Sequence, residues 1–258
     1  MQSFFQTFFQ FAAFKAFPPG SGFGLFSPTH LGVLALLALT GGLIVRAYRR
    51  GDEARRARLR WTIAGFIVFL EVGKDILLIV TGQWVWSSLP LHMCSWAMIF
   101  AVWDTINSSK LTREVLYALC LPGAVAALAT PDWASSPILN IFVWQSFSIH
   151  MFIVTYVMAR LTTHEIVPQA SRLWLPVVFL AVIVPPTMLV NYLLATNYFF
   201  LSAPAPGSPL APIADIFGPL YLLGMALLVG VIWLFMYAPW ATVAWRRRVR
   251  AALMPAAA

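Results

Sequence analysis

The side chains of this sequence that could do chemistry are few and sit in apolar surroundings. Leu89-Pro90-Leu91-His92-Met93-Cys94-Ser95 supplies a cysteine, and His150 lies in a separate apolar run. A cysteine with a histidine base is the minimal machinery for acyl transfer. The thiolate is the nucleophile, and a free thiol with a pKa of about 8.5 needs a neighbouring base or cation to form it. His92 is badly placed for that role on a regular helix, because positions two apart point about 200° apart. His150, on another helix, can approach the thiol across a bundle. The competing reading of Cys94 is a small packing residue, and that is the reading for Cys120 beside Pro122. Neither cysteine suggests a disulfide.

A second group is ionic. Glu71, Lys74 and Asp75 interrupt an apolar stretch. At about 100° per residue, Glu71 and Asp75 fall within about 40° of each other, and Lys74 lies about 60° from Glu71. All three can point the same way. They are either an ion pair that holds helices together or the wall of a polar cavity that binds a headgroup or relays protons.

The elements that must position these residues follow from composition. Of 258 residues, 60% are hydrophobic and only 10% charged, against about 25% charged in soluble domains. Disorder is excluded, and a polytopic all-α membrane protein is expected. Apolar runs bounded by charge, proline or glycine give seven transmembrane helices, at 28–47, 61–80, 88–105, 114–130, 137–160, 173–196 and 215–237. Fifteen of the seventeen basic residues then share one side. They are Arg46 to Arg60 in the first connection, Lys110 and Arg113 in the third, Arg160 and Arg172 around the fifth, and Arg246, Arg247, Arg248 and Arg250 at the end. The alternate connections carry none. The positive-inside rule puts the N-terminus outside and the C-terminus in the cytoplasm of a multi-pass protein.

Three segments result: an amphipathic interfacial segment at 1–20, the seven-helix domain at 26–245 and a basic cytoplasmic tail at 246–258. In the first, Phe4, Phe5, Phe8, Phe9 and Ala12 share a helical face, and Gln2, Gln6 and Gln10 form a polar stripe. With this topology His30 opens the first span at the outer face, Asn191 nears the outer end of the sixth, and Asp215 begins the seventh. Together with Lys74, Asp75, His92 and Cys94 they gather toward the outer leaflet, with Glu71 and His150 as the floor. Cys94 is expected about two turns below the surface.

Other classes are weak. No two histidines share an i, i+4 spacing, so no metal site is expected, and no cofactor is implied. The seventh span lacks a lysine for a retinal Schiff base. The net charge of +8 reads as topology and contact with anionic lipid headgroups at the cytoplasmic arginine clusters, with no nucleic-acid module. The oligomeric state is left open.

Phe26-Ser27-Pro28-Thr29-His30, the acidic second span and Leu89-Pro90-Leu91-His92-Met93-Cys94-Ser95 together resemble the YwaF-like bacterial integral membrane proteins. Asn191-Tyr192, Asn197-Tyr198-Phe199-Phe200-Leu201, Pro206 and Gly218-Pro219-Leu220-Tyr221 are similar to that family's closing motif. The eukaryotic relatives of that family include a cysteine-dependent acyltransferase of ether phospholipids. The resemblance implies Cys94 as nucleophile, His150 as its partner and a phospholipid or lysophospholipid ester as substrate. His92, Asn191 and His30 are then candidates for oxyanion or substrate binding, Lys74 for the phosphate, and Glu71, Asp75 and Asp215 for a polar network. Two other classes stay open: a proton- or ion-coupled transporter using Glu71, Lys74 and Asp75, and a non-catalytic scaffold or accessory subunit.

Overall fold

The computed structural model describes residues 4–205 and 207–253, with residues 244–253 by backbone alone. Gln2 and the end of the expected basic tail lie outside the described residues, as do the side chains of Arg246, Arg247, Arg248 and Arg250.

The described residues form helices and turns with no strand. A short α1 (Phe4–Phe9) precedes α2 (Pro28–Arg50), which starts where the Ser27 hydroxyl caps the His30 N–H and Pro28 fits the first turn. Only Gly51 and Asp52 separate α2 from α3 (Glu53–Val80), whose N-terminus is capped by Asp52. The first arginine cluster is therefore not a loop. Arg55, Arg56, Arg58 and Arg60 ride on the first turns of α3.

Next come α4 (Met93–Ile106), α5 (Lys110–Val115) and α6 (Leu121–Ala129), the last two joined through a π-helical turn at Leu116–Cys120. A π turn misaligns the backbone ladder, and Trp233 Nε1–H bonds the Ala118 carbonyl there at 2.8 Å. Asn140 caps α7 (Ile141–Thr162). α8 (Trp174–Leu194) follows with Pro185 and Pro186 inside it. The expected seventh span is broken. A short α9 (Leu210–Phe217) ends at Gly218, whose φ of +49° suits glycine, and α10 (Tyr221–Leu253) begins after it.

Among the described residues, six helical stretches are long and apolar enough to cross a membrane: 28–50, 86–106, 110–129, 141–162, 170–194 and 210–243. α3, with 28 residues, is long enough, but Glu71, Lys74 and Asp75 break its apolar run.

α7 is the central rod, packed on by α2, α3, α4 and α6. At Gly41 a Cβ would meet Thr155 Oγ1 at 2.7 Å, so the α2–α7 crossing depends on the missing side chain. Gly224 does the same for α9, which folds back so that Ile213 and Phe217 lie within 2.6–2.8 Å of where that Cβ would be. α8 and α10 are peripheral and present exposed apolar rows, including Val178, Val182 and Leu189, and Leu227, Leu234 and Phe235.

Long-range hydrogen bonds define the two ends of the bundle. At one, Asn140 Nδ2 donates to Thr7 O and Gln10 O, and Gln83 bonds Phe9 and Phe11. Gln10 is buried and donates to Lys15 O and Ala16 O, so it faces the bundle rather than water as a polar stripe would. At the other end, Tyr48, Arg60 and Arg160 gather on Glu165.

Candidate functional site

Glu71 is the buried centre of the site, 3% exposed on α3. Its Oε1 accepts the Ser95 hydroxyl proton at 2.5 Å and lies 3.3 Å from Lys74 Nζ. Lys74 also reaches Asp75 Oδ1 at 3.4 Å. One ammonium between two carboxylates keeps this cluster tolerable in apolar surroundings. The helical offsets anticipated that all three would meet. Ser95 was missed, although it adjoins Cys94. Neighbours on a helix point about 100° apart, so only the rotation of α4 decides which one faces Glu71.

Cys94 is the second residue of α4, in the first turn of that helix and eight residues into the apolar stretch 86–106. The N-cap residue, His92, gives no side-chain cap; its carbonyl accepts from Ser95 and Trp96. The N–H groups of Met93 and Cys94 have no acceptor among the described residues. The helix thus presents its positive end and two free donors beside the thiol. Cys94 is partly exposed, unlike buried Cys120.

The Glu71 charge acts on Cys94, His92 and His150 alike, and His150 acts on His92. The expected residues therefore share one electrostatic neighbourhood. No hydrogen bond joins the Cys94 thiol to His150 among the described residues. His150 Nδ1–H donates to the Ser146 carbonyl at 2.7 Å, which puts the neutral ring's proton on Nδ1 and leaves Nε2 basic. The Trp133 indole stacks on that ring, centroids 5.3 Å apart and planes 24° off parallel. Trp133 comes from the connection before α7, and nothing local in the sequence marks it. Its Nε1–H is buried without an acceptor, as is that of Trp96, two residues beyond Cys94.

Two candidates serve the frame. Asn191 Nδ2 donates to Tyr198 O at 3.0 Å, and its Oδ1 accepts from Tyr198 N at 2.8 Å and from Thr196 Oγ1 at 3.0 Å. This bracket holds Tyr198 over His92, ring centroids 4.9 Å apart, with Phe200 at 5.9 Å. Tyr198 donates its phenolic proton to Trp86 O, and burial pushes that phenol up to about 12. Phe199 and Phe200 both adopt positive φ, 57° and 55°, so the loop stores backbone strain above the site. His30 is fully buried and uses both ring nitrogens on main chain. Nδ1 accepts from Phe26 N, and Nε2–H donates to Leu128 O at 3.0 Å. Asp215 is exposed on α9 and forms no ion pair among the described residues. The described residues contain no group of three histidine, cysteine or acidic side chains that could hold a metal.

A family model spans residues 25–237, from the loop before α2 into α10, and covers every residue of this cluster. The chain belongs to the TMEM164 family. This is a membrane family, in keeping with the six apolar helices. The YwaF-like resemblance rests on its motifs alone. No curated protein and no solved structure matches the chain.

Proposed function

We propose that this TMEM164-family protein is a membrane-embedded acyl-transfer enzyme acting on phospholipid or lysophospholipid esters, in a bacterial cytoplasmic membrane. α3, the expected second span, joins the six apolar stretches to make seven, and the arginine-rich end faces the cytoplasm. The observation that carries the reading is the place of Cys94, partly exposed in the open first turn of α4, beside the buried Glu71–Ser95 pair and the partly buried Lys74. A helix N-terminus favours a thiolate, and its free N–H groups suit the oxyanion of a tetrahedral intermediate.

In this reading the Cys94 sulfur attacks the ester carbonyl carbon, and His150 Nε2 takes the thiol proton. The carbon–oxygen bond to the lysolipid breaks, and the proton passes to that departing oxygen. A lysolipid hydroxyl then attacks the thioester, its proton goes to His150 Nε2, the carbon–sulfur bond breaks, and His150 returns that proton to the sulfur to restore the thiol. The N–H groups of Met93 and Cys94 supply the oxyanion donors, with His92 beside them. Lys74 reaches a headgroup phosphate by exchanging one of its two carboxylate partners. His30 and Asn191 hold the frame.

Intact-protein mass spectrometry after incubation with phospholipid tests this. A hydroxylamine-labile fatty-acyl adduct on Cys94, absent in Cys94→Ala, is expected. Full transfer activity in Cys94→Ser without any adduct would overturn it. A second reading, a proton- or ion-coupled transporter, is favoured by one observation: charged clusters built on buried carboxylates occur at two levels of the bundle, Glu71 with Lys74 and Asp75, and Asp104 with Arg160. Proteoliposome proton flux that Glu71→Gln abolishes and Cys94→Ala spares would select it.

A further inference from the structure

At the arginine-rich end, on the far side of the bundle from Cys94, lies a polar pocket of about 440 Å³. Three of its walls are guanidinium groups: Arg60 of α3, Arg113 of α5 and Arg160 of α7. Arg160 is only 4% exposed. It pairs with Asp104 and, at 3.2 Å, with Glu165. Arg60 pairs with Glu53 at 2.8 Å and with Glu165 at 3.1 Å. Arg56 also approaches Glu165, at 3.9 Å. Arg113 has no carboxylate partner among the described residues. Its Nε–H donates to Ser108 Oγ at 2.8 Å, the same hydroxyl that accepts Arg160 Nη2–H at 3.1 Å. The Ser108 hydroxyl itself donates a hydrogen bond to Asp104 Oδ1 at 2.8 Å.

Two guanidinium groups therefore converge on one neutral oxygen, and four arginines meet three carboxylates. A half-buried arginine without a counter-ion is costly. The fork of N–H groups that Arg113 leaves unused matches the oxygens of a phosphate. We infer that this pocket is an anion site for a phosphate monoester, held by Arg113 with Arg160 and Ser108 behind it. The group arrives either on a lipid headgroup or on a soluble metabolite. The site is independent of the acyl-transfer chemistry.

The test follows the thermal unfolding midpoint of the full-length protein. One arm titrates inorganic phosphate against chloride at matched ionic strength. The other compares nanodiscs of phosphatidylcholine with and without phosphatidic acid. A ligand that binds only the folded state raises the midpoint, and an excess of it should give about 2–4 °C. Arg113→Gln breaks no ion pair and should fold. It should bind about tenfold more weakly, the worth of one charge-assisted hydrogen bond. Arg113→Lys keeps the charge and loses the fork, so its response should fall between the two.

A phosphate-dependent rise that Arg113→Gln removes supports a soluble ligand. A rise with phosphatidic acid alone, again removed, supports a lipid headgroup. No rise with either probe, or an equal rise in the wild type and both variants, would refute the site.

Discussion

Ser95 and His150 carry most of what the site asks of single residues. The Ser95 hydroxyl is the hydrogen-bond donor to buried Glu71 Oε1, so Ser95→Ala leaves that oxygen to Lys74 alone. The expected loss is about 1–3 kcal/mol, read as a lower unfolding midpoint in detergent. Cys94→Ala should leave the midpoint close to wild type, because it leaves the Ser95–Glu71 hydrogen bond in place. An unchanged midpoint in Ser95→Ala would show that the bond contributes nothing. For His150, Trp133→Phe keeps an aromatic ring on the imidazole while Trp133→Leu removes it. Transfer activity should fall in the second and largely survive in the first. Equal loss in both would instead assign the effect to the indole N–H. Cys94, His150 and the Glu71 triple were legible because such residues are rare in apolar sequence. Ser95 and Trp133 were not, since a serine on a helix and a tryptophan in a membrane connection are ordinary there.

At the scale of elements, helix contacts turn on glycines that only the assembled bundle distinguishes. Gly41 and Gly42 are adjacent, yet a Cβ on Gly41 would press on Thr155 Oγ1 and one on Gly42 would meet nothing within 4 Å. Gly41→Ala should cost about 1–3 kcal/mol. Gly42→Ala should gain about 0.5–1 kcal/mol from helix propensity. Parallel unfolding curves check the pair, and equal effects would contradict the α2–α7 crossing. The strained loop over His92 depends likewise on Asn191. Asn191→Ala strands the buried Tyr198 N–H, and hydrogen exchange across residues 196–201 should speed up while α7 is unaffected. Gly41, Gly42 and Asn191 all fall inside expected spans, 28–47 and 173–196. The sequence did not show which face of each helix meets another, because that depends on rotation and crossing angle.

Across the whole molecule, Glu165 joins α2, α3 and α7. Burial alone would raise its carboxyl, but hydrogen bonds from Tyr48 and Thr163 and the charges of Arg160 and Arg60 hold it below the ordinary range. A carboxyl depressed in the folded state stabilises above its unfolded value, about 4.3, and loses that contribution as pH falls through its folded value. The unfolding midpoint should therefore fall below about pH 4.5, and Glu165→Gln should flatten that part of the profile. A wild-type midpoint indifferent to acid would refute this role. The amino-acid sequence by itself determined the all-helical membrane class, six of the apolar segments and the few candidate residues for chemistry. These follow from composition, periodicity and the cost of charge in hydrocarbon, all local or additive along the chain. The tertiary structure decided that Cys94 opens its helix rather than lying inside it. It also set Ser95 against Glu71, broke the last span at Gly218, and brought Arg113 and Arg160 to one hydroxyl. Each of those depends on where a helix starts and how it is rotated against its neighbours, which is settled only when distant segments pack together.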